Sequence, residues 1–494
     1  MISFVTGLLI ARSLNPAGYG DLMFLLGSFV AIRSLLDMGS SSAFFTFLSQ
    51  RARGRRFYLA YFAWLAFQFI ATLAVLGLFI PAGLIEKIWL GHNREIIILA
   101  FVAAFMQQQL WQVVGQIGEA MRKTAKVQLM NLAVALLYLV VIVLVSTYAQ
   151  LSVETILLIL VAQYVLALLF AYRFLKEDHA DLQVEEKSLR EIFWDYWKYC
   201  KPMVALAFVS FAYDFADKWM LQKFGGATQQ GYFQIASQFA AVSLLATSSI
   251  LNVFWKEIAD AWEKQDRARV EMLYRRVGRG LVMLGAIISG MLLPWSEFIV
   301  SIFLGAAYVQ AWPVLAIMLL YPIHQSMGQI GGTMFLASGQ THKYMFVSIF
   351  IMMLSIPASY FVLASPSEMR LSGMGLGAFG MACKMVALGI VSVNIQAWVI
   401  SRYGGWEFDW VFQAVGIPMM IGSGYVAKTL AGMMWNIENV GVTELIVPVM
   451  IAGLFYAAMV AAIIWWLPWL IGMDRSEVNR LFALILRSKV KSEK

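Results

Sequence analysis

YDFADKWMLQKFGGATQQGY, residues 213–232, sets Asp214, Asp217 and Lys218 into a run that is otherwise apolar from about Met203 to Leu221. A charge inside a helix that crosses hydrocarbon is costly, so such residues face a protein interior or a water-filled cavity. Asp214 and Lys218 are four apart and share a helix face, with Asp217 beside them. Two readings follow. The stretch is the wall of a pathway through a membrane, or it is a helix-end pair whose Lys218 snorkels to the headgroups.

Composition favours a membrane setting for the whole chain. Hydrophobic residues make up 61% and charged residues 13% of 494, and mean hydropathy is +0.73, against about 25% charged residues in an average soluble domain. The reading is an all-α polytopic membrane protein. Cys200 and Cys383 lie in or beside apolar runs without partner spacing, which points to neither a disulfide framework nor a metal site. The first apolar run lacks a basic start and a small-residue cleavage site, so it does not read as a cleavable signal.

The apolar runs are about 1–14, 19–48, 57–80, 95–120, 127–147, 154–175, 199–222, 231–254, 278–294, 311–337, 344–364, 374–400, 410–433 and 445–471. Most approach the roughly 20 residues that a membrane-crossing helix needs, giving about 14 transmembrane helices. The first is short, ending at Leu14 before the turn Asn15-Pro16-Ala17-Gly18. The loops 51–56, 121–127, 173–201, 256–279, 339–344 and 401–410 and the tail 472–494 hold 28 Lys or Arg, and the intervening loops hold 5. That bias places the first set, and both termini, in the cytoplasm. The net charge of +8 therefore reflects topology and headgroup contact, and no nucleic-acid partner is expected.

Two segments outside the runs are amphipathic. Leu189, Ile192, Phe193 and Trp197 recur at helical spacing beside Arg190, Glu191 and Asp195; Val478, Leu481, Phe482 and Ile485 do so beside Arg480, Arg487 and Lys489. Both are expected to lie in the cytoplasmic interface. The expected organisation is an N-terminal lobe over 1–175, a linker with an interfacial helix over 176–198, a C-terminal lobe over 199–400, two further helices over 401–471 and an amphipathic tail over 472–494.

An internal repeat supports two lobes. At an offset of 217, Gln108–Lys126 matches Gln325–Lys343 with identities at Gln108/Gln325, Gln112/Gln329, Gly115/Gly332, Ala120/Ala337, Thr124/Thr341 and Lys126/Lys343. At 213, Gly18-Tyr19 matches Gly231-Tyr232. An even number of runs separates the copies, so the repeat is parallel. Parallel-repeat transporters hold substrate between their halves.

The chain resembles the bacterial polysaccharide/O-antigen (lipid-linked oligosaccharide) flippase family of the multidrug/oligosaccharidyl-lipid/polysaccharide exporter superfamily. The resemblance rests on ARSLNPAGYG at 11–20, LLDMGSSSAFF at 35–45, DKWMLQKFGGATQQGYF at 217–233, ASGQTHKY at 337–344 and GMGLGAFGMA at 373–382. It covers residues 7 to about 405, and it lies in the order and spacing of these stretches. It implies two six-helix lobes around a central cavity, two extra C-terminal helices, and movement of an undecaprenyl-diphosphate-linked oligosaccharide across a bacterial inner membrane. Polysaccharide polymerase and glycosyltransferases are the partners it implies.

Such a substrate presents a diphosphate, a glycan and a lipid tail. Arg33, Lys218, Lys384 and Lys428 lie in or at the edge of runs and offer cations, Lys428 being the least suited because it falls outside the first twelve runs. Arg33 and Asp37 are four apart, and either neutralise each other or leave Arg33 to a substrate. Gln108, Gln112 and Gln116 form a stripe at four-residue spacing with Glu119 a turn further, and Tyr321, Gln325 and Gln329 form a second. These amides either meet sugar hydroxyls or join neighbouring helices. Asp214, Asp217, Glu119 and His324 are candidates for coupling to H+ or Na+.

Other classes fit less well. No GxxxxGK[ST] phosphate loop occurs and no HExxH or paired Cys/His pattern, so neither a nucleotide, a metal nor another cofactor is indicated. An oligosaccharide polymerase or glycosyltransferase would carry a large hydrophilic loop, and the longest extramembrane stretch here is about 25 residues. A multidrug/cation antiporter or a lipid II exporter remains the rival within transport. A cation pump would want acidic buried groups, whereas the buried charges here lean cationic.

Overall fold

The computed structural model describes residues 2–51, 53–176, 187–242, 248–367, 371–435, 441 and 444–480. In hydrocarbon every backbone N–H and C=O must be satisfied internally, which favours helices. No strand occurs among the described residues. The helices are α1 Ile2–Asp37, α2 Ser40–Gln50, α3 Arg55–Ala74, α4 Ala82–Ile88, α5 Arg94–Phe105, α6 Trp111–Ala120, α7 Thr124–Tyr148, α8 Val153–Lys176, α9 Leu189–Cys200 and α10 Met203–Val242. They continue as α11 Ser248–Glu263, α12 Arg267–Leu292, α13 Ser296–Leu304, α14 Trp312–Met318, α15 Tyr321–Ala337, α16 Thr341–Leu363, α17 Gly377–Gly404, α18 Val411–Met434 and α19 Ile446–Trp466.

Nine helical stretches among the described residues, some with a π or 3₁₀ turn inside them, are long and apolar enough to cross a membrane, and α14–α15, with a short 3₁₀ turn before it, forms a tenth bent by 40°. Among the described residues the fourteen apolar runs fall mostly on helices, with breaks at Asn15 and Gly226 between runs that share one helix label. α1 contains the first run and much of the second, α10 contains the seventh and the start of the eighth, and α11 continues the eighth. The acidic linker 177–186 and the tail beyond residue 480 lie outside the described residues.

Packing divides the chain into two compact units, one of Met1–Gln234 with Met352–Ala378, the other of Ile235–Ile351 with Phe379–Lys494. In the second unit, α12 packs on α15 and α18, and α18 on α19. Met283, Met420 and Ala427 are wholly buried at their centre. Gly290 and Gly424 allow this closeness, since a Cβ on either would strike backbone of the other helix. The half-buried Arg279–Asp409 pair, at 2.7 and 3.1 Å, ties α12 to the start of α18.

In the first unit, two helices break in the same way. α1 breaks at Asn15 (φ 60, ψ 169), just before Pro16, which has no N–H to continue the ladder. α10 breaks at Gly226 (φ 79, ψ 174). The segments after the breaks cross at backbone contact: a Cβ on Gly20 would strike the Ala227 carbonyl, and a Cβ on Gly231 would strike the Pro16 carbonyl. The contact is reciprocal at an offset of 211 residues. The structure therefore equates Asn15 with Gly226 and Gly20 with Gly231, which corrects the offset of 213 expected from the Gly-Tyr match. Backbone conformation sets the register here, and the repeated dipeptide is displaced from it by two residues.

Candidate substrate site

The stripe expected on residues 108–116 lies in a helix with an altered phase. Between α5 and α6, Met106–Leu110 forms a π-helical turn, whose wider loop rotates the following side chains relative to an α-helix; such turns recur at functional sites. Gln108, Gln109 and Gln112 thereby all reach Arg33 of α1. Arg33 Nε donates to Gln109 Oε1 at 2.9 Å, Nη1 to Gln108 Oε1 at 3.5 Å, and Nη2 to Gln112 Oε1. Gln109 is buried and its amide is oriented from behind, donating to Gln68 Oε1 at 3.4 Å, while Gln68 donates to the Leu36 carbonyl at 2.8 Å. Gln116, a turn on, donates to the Ser41 carbonyl at 3.3 Å.

Asp37 makes no direct bond to Arg33. Its carboxylate accepts from Ser40 Oγ (3.0 Å), Ser41 N (2.9 Å) and Ser41 Oγ (2.8 Å), holding the start of α2 after the left-handed Met38-Gly39 turn. No carboxylate lies within 4 Å of Arg33 among the described residues. Its hydrogen-bond partners are neutral amides, which satisfy three of its five N–H groups, and Asp37 acts on its charge only through space. Phe29, Ile32, Leu36, Phe101 and Phe105 line the apolar side of this pocket. Gln112 and Glu119 are exposed, and Gln108 and Gln116 half-buried, so the stripe has an open side.

The charges of residues 214–218 lie on α10 in the same unit. The Lys218 stem covers Gly27 of α1, where a Cβ would come within 2.8 Å of it. Its Nζ donates to the Asp214 carbonyl at 3.3 Å; it does not bond the Asp214 carboxylate as the four-residue spacing suggested. Asp217 is buried and accepts from the Ser359 hydroxyl of α16. Asp21, not singled out from sequence, accepts from Gln222 at 2.8 Å and lies 3.4 Å from His92. Its only sequence signal was a carboxylate near the start of an apolar run.

In the second unit, Tyr321, Gln325 and Gln329 share the half-buried side of α15. His324 faces the other way. It is 4% exposed, packs edge-on against Tyr321 at 4.9 Å, and sits where a Cβ on Gly389 of α17 would collide with its ring. Lys384 is buried on α17. Lys428 donates to the Pro294 carbonyl at 2.8 Å and lies over the Trp295 ring, which gives it a bracing role. The structure thus brings Arg33, Gln108 and Gln112 together, with Gln116 and Glu119 along the same stripe.

No protein-family model and no curated protein matches the sequence. Solved structures do. The lipid II flippase MurJ in an inward closed conformation aligns with a TM-score of 0.68 at 14% identity, covering 94% of this chain and 97% of that one. An inward-facing multidrug resistance MATE family transporter of the MOP superfamily aligns at 0.62 and 15%, covering 81% and 94%. A MOP superfamily transporter from Pyrococcus furiosus, described as having a binding pocket of reversed polarity, aligns at 0.55 and 15%, covering 82% and 91%. At these identities the likeness establishes the fold: an all-helical membrane protein built like the MOP transporters.

Proposed function

We propose that this protein is a flippase that carries an undecaprenyl-diphosphate-linked oligosaccharide across a bacterial inner membrane by alternating access, with lobes at 1–175 and 199–400. The observation that carries the reading is Arg33, an intramembrane guanidinium held by Gln108, Gln109 and Gln112 with no carboxylate within 4 Å among the described residues. A cation bonded only to neutral amides, against an apolar wall, favours an anion, and a guanidinium suits a phosphate oxygen pair. The amides around it, continued by Gln116, offer donors and acceptors to sugar hydroxyls. Tyr321, Gln325 and Gln329 are the equivalent glycan contacts in the second unit, and Lys218 and Lys384 are further diphosphate contacts. Asp214, Asp217, Glu119 and His324 couple transport to H+ or Na+, and the product passes to polymerase and glycosyltransferases.

The test is reconstitution into liposomes with an undecaprenyl-diphosphate oligosaccharide on one leaflet, read by accessibility of the sugar. Arg33→Ala is expected to slow flipping at least tenfold, since a lost charged hydrogen bond is worth about 1.5–3 kcal/mol. Arg33→Lys, a point charge that cannot span three amides, is expected to fall between. Wild-type protein that moves no lipid-linked glycan but transports a cationic drug would establish the antiporter instead. Flipping that survives collapse of the proton and sodium gradients and of the potential would remove ion coupling.

A further inference from the structure

α9 packs across the ends of α2 and α3. Its start is fixed by a reciprocal cap: Ser188 Oγ accepts from Glu191 N at 3.3 Å, and the Glu191 carboxylate accepts from Ser188 N at 2.9 Å. Its inner side is held by rings, with Tyr196 5.4 Å from Phe47 and 5.8 Å from Phe57. The two flanks of the helix differ. Leu189 and Phe193, each 61% exposed, and Trp197 form an unpartnered apolar flank. On the polar flank, Lys187, Asp195, Lys198 and Tyr199 join Arg51 and Arg53 around an open pocket of about 460 Å³.

Among the described residues the lining of this pocket leans basic, with Asp195 its one carboxylate. Lys187 is tied to Asp195 at 2.5 Å. Arg51, Arg53 and Lys198 have no carboxylate within 4 Å among the described residues. Arg53 is fixed in place, its guanidinium 5.4 and 5.2 Å from the Phe47 and Phe57 ring centres and its Nε donating to the Phe47 carbonyl at 2.9 Å. Burial, and next the repulsion of Arg51, hold its pKa below the usual arginine value. Asp195 opposes that shift from within the pocket, and a further anion there would act in the same sense. A helix whose apolar flank enters a bilayer by about 5–10 Å carries its polar side at the level of the headgroups, where basic clusters recognise anionic lipids.

We propose that the pocket formed by Arg51, Arg53 and Lys198 binds the phosphate of an anionic phospholipid headgroup, in the leaflet on which α9 rests, as a site separate from Arg33. The guanidinium of Arg53 takes phosphate oxygens as a planar fork, and Arg51 and Lys198 add point charge. The test uses the purified full chain in detergent, with bound lipid counted by native mass spectrometry after adding phosphatidylglycerol or phosphatidylcholine. Phosphatidylglycerol is expected to be retained in preference, and Arg51→Ala and Lys198→Ala, both at exposed positions, to weaken it about fivefold each. Lys87→Ala, a surface cation elsewhere, is the control and should change nothing. Equal retention of the two lipids, or full retention of phosphatidylglycerol in the double variant, would overturn the site. Displacement of the lipid by an equal concentration of inorganic pyrophosphate would also overturn it, by assigning the pocket to a soluble anion.

Discussion

Asn15–Gly20 and Gly226–Gly231 have one backbone and two chemistries. Each begins with a residue at positive φ and extended ψ, and each leads to a glycine pressed against the other segment's carbonyl. The first uses Asn and Pro at the break where the second uses Gly and Ala. Away from the crossing the copies part further. At the offset of 211, Asp214, Asp217 and Lys218 correspond to Ser3, Thr6 and Gly7, and Arg33 corresponds to Leu244, which lies outside the described residues. The comparison teaches that repetition persists where backbones touch and lapses where side chains face a polar interior. Steric contact at the crossing tolerates one solution, whereas the charges are specific to each half.

The crossing offers the most severe way to break that comparison. Gly20→Ala and Gly231→Ala each place a methyl group inside a carbonyl contact and are expected to cost about 4 kcal/mol or more, by equal amounts. Thermal unfolding in detergent, followed by tryptophan fluorescence, checks both. Gly278→Ala, where a Cβ meets nothing within 4 Å, should leave the midpoint unchanged or raise it. A loss confined to one of the two crossing glycines would show that the contact is not reciprocal.

A smaller effect sharpens the comparison at the breaks. Asn15 holds a conformation otherwise nearly restricted to glycine, which costs about 1–3 kcal/mol. Asn15→Gly is therefore expected to stabilise by about 1 kcal/mol, less than the strain released because the unfolded chain also gains freedom. Gly226→Ala imposes the strain that Asn15 already bears and should destabilise by about 1–3 kcal/mol. Opposite shifts in melting temperature are the expected result.

The smallest effect falls on α9, outside the crossing. Ser188→Ala removes one half of the cap and is expected to cost about 1 kcal/mol locally. Glu191 titrates below the usual glutamate range because it accepts the backbone and hydroxyl bonds of Ser188. Its charged form favours the folded cap, so the stabilisation is complete above the ordinary value of about 4.3 and is lost as pH falls through the lower folded value. Hydrogen exchange of the first turn of α9 should show protection at pH 5 that disappears only in stronger acid.

Much of the fold was legible in the sequence because hydrocarbon imposes long apolar runs, and among the described residues the fourteen runs lie mostly on helix. Where two runs adjoin, as in α1 and α10, the boundary was legible as well: the helix leaves helical φ/ψ at Asn15, in the turn expected between the first two runs, and at Gly226, between the seventh and eighth. The site was half legible. Gln108 and Gln112 were visible from four-residue spacing, and Arg33 from its charge. That Gln109 also faces Arg33 was not, because an ideal helix points neighbouring residues 100° apart and only the π-helical turn brings them to one side. The allocation of Asp37 to the start of α2 was hidden for a similar reason: the left-handed Met38-Gly39 turn carries Ser40 and Ser41 back to it.

The π-helical turn at Met106–Leu110 has a consequence for how this molecule can change. A substitution in the stripe replaces one group and leaves the others aimed as before. Straightening the turn into an α-helix at constant length would swing everything from Trp111 to Ala120 by about a quarter revolution, presenting a new row of side chains to Arg33 in one step. The turn works as a rotary selector in the polypeptide, and a switch between its π and α forms would reset recognition in a way that a single changed side chain in the stripe cannot.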